Sequence, residues 1–438
     1  MTEVYKITDF GARTCDVPQT DKIQAAIDAC FKAGGGRVVI PKGFFLSGGI
    51  RLRSNVTLYL EAGAMLKASR NPLHYMAHLD DKLEPLDISL YEGRSSSVNP
   101  MSRWSNGFIR VINAENVSVI GEPGSFIDGS DCFDPEGEEK YRGPHGMNMH
   151  NVKNLHLEGY TLMNTGNWAH AVLFSENITV KNITVLGGHD GFDLFDSDNV
   201  LMENCEYYVG DDAIAGYGNK DVVIRNCFFN TSCSSLRFGG TDVLVENCRG
   251  IGPGAFGHRL TLTREEMEIS ASTHENTRHN TITPFQYYCD FRLGEQLRYT
   301  PGNITFKNCK FEDADSIILH PFDGKHKWCA NIGLSSLSFI DCELLGLSKK
   351  GVLHADENHP LDLRFKNVKI SAREEGADFP LLEASDCKYI EFDGVTVEGF
   401  KDPYIVTDCA DKVKLINCTP IRVIEEKVTV KAGDCTQN

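Results

Sequence analysis

The sequence predicts an all-β solenoid, a right-handed parallel β-helix of about 22 residues per coil with an N-terminal capping helix. Three observations predict it. Asn182, Asn204, Asn226 and Asn247 follow one another at 22, 22 and 21 residues. A second column of small turn formers, Asn177, Asn199, Asp221 and Asp242, repeats that spacing. Between the columns lie short β-rich runs, ITV, VLM, VVI and VLV. Leucine-rich repeats share the period but need a leucine-rich frame, which this chain lacks. Asparagine tolerates the left-handed backbone of a tight corner, and stacked asparagines can hydrogen-bond from coil to coil.

The elements follow in chain order. TDKIQAAIDACFKAGGG predicts a helix within 18–36, with Thr20 as its N-cap, an apolar stripe of Ile23, Ala26, Ile27 and Cys30, and Gly34 to Gly36 as its stop. Such a helix would cover the open edge of the first coil. Residues 72–108 read as irregular. NVSVIGEPGSFIDG (116–129) and NVKNLHLEGYTLMN (151–164) read as early coils. Later coils are expected at 303–313, 337–346, 363–372, 390–399 and 413–420, after one long projecting loop over 252–300. The whole chain, 1–438, reads as a single domain.

Composition narrows the partners. A net charge of −17 disfavours nucleic acid and anionic membranes. No run of apolar residues is long enough for a spanning helix. The fifteen cysteines include no CxxC pair and recur in one phrase, ENC, RNC, ENC and KNC, ending at Cys205, Cys227, Cys248 and Cys309. That pattern predicts reduced, buried thiols in a repeated slot rather than zinc or a disulfide frame. With an opening MTEVYKITDFGA that lacks a signal-peptide pattern, the expectation is a cytoplasmic protein. Homo-oligomer formation is left open.

The period also aligns the acidic residues. One coil of 22 residues carries Asp190 onto Asp212 and His189 onto Asp211. Phe192, Ile214 and Leu236 form an apolar column expected inside, and Asp193, Ala215 and Arg237 form its outward neighbour. Trp168, Asp190, Asp212 and Ser234 form another column. Aspartates gathered from two coils repel, and such crowding should raise the pKa of Asp211. Clustered acids of this kind cost stability and point to chemistry. Arg237 is expected as a substrate ligand and His189 as a modulator of the acid. Trp168 reads equally as a buried ring and as a sugar-stacking face.

At these residues the sequence resembles glycoside hydrolase family 28, the polygalacturonases and rhamnogalacturonases. ITDFGA with the helix phrase resembles the family's N-terminal cap, and SFIDG (125–129) its early coil. HDGFDLFDSDNV resembles its Asn-Thr-Asp-Gly-x-Asp segment, and GDDAI its Asp-Asp segment. The resemblance implies a general acid at Asp211, water held by Asp190 and Asp212, inversion at the anomeric carbon, and no cofactor or metal. Substrate contacts are expected from His189, Asp193, Arg237, Trp168 and, on GHRLTLT, from His258 and Arg259, with Arg264 close by. The sequence departs from the family at Gly188-His189, and at Cys233-Ser234-Ser235, where the polygalacturonases carry Gly-His-Gly; their later Arg-x-Lys clamp has no clear counterpart. The expectation is therefore an exo-acting hydrolase of pectin-type oligosaccharides whose reacting sugar is neutral or substituted. A polysaccharide lyase or a non-catalytic glycan-binding solenoid are the alternatives.

Overall fold

A computed structural model describes residues 3–78, 87–91, 99, 102–259, 278–289, 298–322 and 332–428. Contacts group the chain, expected as one domain over 1–438, into two compact units. One comprises Met1–Asp211 with Phe256–Arg278, the other Asp212–Ala255 with His279–Asn438. Each is a parallel β-helix. No helix among the described residues is long and apolar enough to cross a membrane.

The first unit begins with strand Val4–Lys6, which pairs in parallel with Gly36–Ile40. Helix α1 (Thr20–Lys32) buries the predicted stripe of Ile23, Ala26, Ile27 and Cys30. Thr20 is not its N-cap: Gln19 holds that place, and the Thr20 hydroxyl accepts the Gly48 N–H at 2.7 Å. The hydroxyl thus ties the helix to the first coil. Gln24 does the capping at the strand edge. Its amide accepts the Arg51 N–H at 2.8 Å and donates to the Arg51 carbonyl at 3.1 Å, the two bonds a neighbouring strand would have made.

Coils then stack in register, Leu155 on Val117, Ile178 on Leu155 and Val200 on Ile178. The asparagine corners are left-handed as expected, with φ of 57° at Asn177 and 55° at Asn199. Their amides form a ladder: Asn199 donates to Asn177 at 2.7 Å, Asn177 to Asn154 at 3.0 Å and Asn154 to Asn116 at 2.9 Å. The rungs lie 22, 23 and 38 residues apart, so one coil between Asn116 and Asn154 carries an insertion.

In the second unit Ile214 pairs with Leu236, both fully buried, which places that column inside as predicted. Leu236 pairs in turn with Phe285, because Thr283–Tyr287 is a strand on Ser234–Glu246. The long loop expected over 252–300 is therefore interrupted by a coil strand, hidden from the sequence by the polar residues around it. Every later coil expected from 303 onward is present, among them Gly302–Lys307, Ser336–Ile340, Asp362–Lys366 and Tyr389–Asp393. Inside them Phe306, Phe339, Phe365 and Phe392 stack ring on ring, with centroids 4.9, 5.2 and 4.8 Å apart. The recurring cysteines are buried and form no disulfide. Cys227, Cys248 and Cys309 each donate to the carbonyl two residues before, at 3.3 Å.

Candidate active site

The acids sit where the coils leave the strand and turn. Asp190 lies between strand Thr184–Gly187 and strand Phe192–Phe195, and its carbonyl accepts the Ala169 N–H at 2.8 Å. Asp211 follows Glu206–Val209 after one glycine, Gly210. That glycine is required: a Cβ there would stand 2.0 Å from the Gly257 carbonyl oxygen, so the loop bearing His258 and Arg259 packs directly on the turn. Asp190 and Asp211 are almost fully buried, and their nearest carboxylate oxygens lie within 4.8 Å.

Three basic side chains face Asp211. Arg259 Nε donates to its Oδ2 at 2.7 Å, His258 Nε2 lies 3.4 Å from Oδ1, and the Arg142 guanidinium lies 3.9 Å from Oδ2. Burial pushes the Asp211 carboxyl up, but His258, Arg259 and Arg142 outweigh it and hold it well below the usual carboxylate range. The expected upward shift is thus reversed. The sequence columns counted the aspartates but could not place the arginines from two distant segments.

His189 joins this cluster as its column required. It is buried, and its ring stacks on Tyr141 at 6.2 Å. Burial, helped by Arg142, pushes it well below the usual histidine range, so it is neutral. Sequence reasoning missed the segment that supplies Tyr141, Arg142 and Glu139. Arg142 is buried, and its Nε donates to Glu139 at 3.1 Å while Nη1 donates to Asn167 at 3.0 Å. The Tyr141 hydroxyl donates to Glu139 at 3.0 Å, and burial pushes its pKa up to about 12. The 38-residue step between Asn116 and Asn154, filled by the charged run GEEKYRG, was the available signal.

In the second unit Asp212 is fully buried and accepts the Ser234 N–H at 3.1 Å. Arg237 Nη1 donates to Asp212 at 3.2 Å, and its guanidinium lies 4.0 Å over the Tyr288 ring. Arg237 is therefore half-committed to an acid rather than wholly available to substrate. Ser234, in the column of the family's histidine, turns its hydroxyl to Gln286 at 3.0 Å. Asp193 is buried, in register with Ala171. Trp168 is partly exposed, stacked on His145 at 4.9 Å and 24°. It stands one coil before Asp190 and takes no part in the ion-pair cluster. Arg264 lies outside the described residues.

By its fold and site this protein is a parallel β-helix whose coil turns gather buried aspartates beside the segment bearing His258 and Arg259. The sequence profile "Glycosyl hydrolases family 28" matches residues 30–235, and "Right handed beta helix region" matches 171–327, giving the solenoid its hand. A probable polygalacturonase of Vitis vinifera is 27% identical over 157 residues, 35% of this chain and 30% of that protein's length. The family 28 exopolygalacturonase of Yersinia enterocolitica superposes with a TM-score of 0.57 at 17% identity, covering 98% of this chain and 79% of that one. The polygalacturonase of Erwinia carotovora superposes with a TM-score of 0.59 at 18% identity, covering 85% and 94%.

Proposed function

We propose that this protein hydrolyses glycosidic bonds in pectin-derived oligosaccharides, acting from a chain end. The observation that carries the reading is Asp211, a buried carboxylate beside Asp190 and directly before Asp212, reached by His258 and Arg259 from a separate loop. Asp211 gives its proton to the leaving oxygen. Asp190 and Asp212 hold and activate the attacking water. Asp190 and Asp211 approach more closely than the roughly 6.5–9.5 Å usual for an acid and base flanking a water. Trp168, one coil away, offers a face for a neighbouring sugar. His258 and Arg259 stand beside the acid on a segment packed against its turn, and exo action is in keeping with the relative described as an exopolygalacturonase.

The test is reducing-end release from a panel of pectic oligosaccharides, with nuclear magnetic resonance of the first anomer formed. The expected anomer is inverted, and Asp211→Asn should lower turnover at least about a hundredfold. An unsaturated product would identify a lyase, and near-wild-type turnover in Asp211→Asn would remove that residue from the mechanism.

A further inference from the structure

Glu139 is a carboxylate already seated where a charged sugar would seek its counter-ions. Arg259 Nη1 donates to it at 2.6 Å, Arg142 Nε at 3.1 Å and the Tyr141 hydroxyl at 3.0 Å. Arg259 is the same guanidinium that grips Asp211 through Nε. The two arginines thus face three acids, since Glu138 also lies 3.9 Å from Arg142. Their charge is spent within the protein.

The backbone is held in an uncommon shape to put Glu139 there. Glu139 and Lys140 both adopt left-handed φ, 55° and 66°, a region that L-residues rarely enter. Gly137 permits the tight return, since a Cβ there would stand 1.9 Å from the Arg142 carbonyl oxygen. A turn meant only to bridge two coils needs neither the strain nor the charge. The Glu139 and Arg259 side chains keep 37% and 26% of their exposure, so the seat is open to a ligand.

We propose that Glu139 is a specificity-determining residue, a resident carboxylate that fills the anion seat between Arg142 and Arg259 and so selects a reacting sugar that is uncharged at that seat. The inference rests on the hydrolase reading and names the substrate class of the same site. A uronate carboxylate would have to displace Glu139 or approach an excess of negative charge. A methyl-esterified or neutral sugar meets neither obstacle.

The experiment compares trigalacturonate with its methyl ester, using the full chain and the variants Glu139→Gln and Glu139→Ala, with melting curves to confirm folding. The wild type should favour the ester at least tenfold in kcat/KM. Glu139→Gln should reduce that preference at least tenfold, chiefly through a lower KM for the free acid. Calorimetry should show galacturonate monomer binding at least tenfold tighter to Glu139→Gln than to the wild type, relative to galactose. A purely structural clamp would not shift the acid-to-ester ratio. A wild type that prefers the free acid overturns the proposal, as do two folded variants whose ratio stays within twofold of wild type. Should the wild type cleave neither trimer, the hydrolase reading fails, and the monomer-binding comparison still decides the role of Glu139.

Discussion

As the proposed general acid, Asp211 meets two opposed demands. A general acid must hold its proton until the leaving oxygen takes it, yet His258, Arg259 and Arg142 favour the ionised carboxylate. The rate should therefore rise as pH falls, because the protonated fraction grows toward the depressed pKa. Removing one cation raises that pKa and moves the alkaline limb of the profile to higher pH. We expect Arg259→Gln to do so, measured as kcat/KM against pH beside the wild type. The position of the limb, not its height, reports the acid, since Arg259 is also an expected substrate contact. A limb that stays in place or moves down would mean that another group donates the proton. The neutral His189 is placed to accompany this change without competing for the proton.

At the scale of the element, the asparagine corner sets the coil. Asn177 adopts a left-handed φ of 57°, donates to Asn154 and accepts from Asn199. Alanine would lose both bonds and also strain the backbone, whereas glycine would lose the bonds alone. Asn177→Ala should cost about 1–3 kcal/mol, and Asn177→Gly about 1 kcal/mol less, read by denaturant unfolding. Equal losses in the two variants would show that the left-handed turn carries no penalty there. The same corners explain why the repeat was legible. The αL requirement recurs on every coil, and only a few residue types meet it. Thr283–Tyr287 was not legible because Phe285 and Tyr287, which reach the core opposite Leu236 and Phe238, form only a short apolar run off the 22-residue period.

Across the whole molecule, buried histidines tie stability to pH. Burial pushes His170 and His320 down to about 4, and His150 and His189 well below the ordinary value. Each is neutral when folded and takes a proton near 6.5 when unfolded. Their contribution is present above pH 6.5 and is lost progressively as pH falls toward 4, by up to about 3 kcal/mol for a shift of this size. The Tm should be level near neutrality and drop through that window. A Tm that rises between pH 6.5 and 4 would contradict the burial of these rings as neutral groups. Acid thus favours the proton donor and disfavours the fold, so the working range is bounded on both sides.

The sequence by itself determined the solenoid, its coil length, the inner column of Ile214 and Leu236, and the gathering of Asp190 and Asp211. All of these follow from one period, which acts locally and repeats. Only the tertiary structure decided the electrostatics. Arg142 and Arg259 lie 117 residues apart in sequence, on insertions that break the period, and nothing local places them against one carboxylate. Charge acts through distance in space rather than along the chain. The sign of the Asp211 shift, the commitment of Arg237 to Asp212 and the seat held by Glu139 therefore emerge only when the coils are stacked.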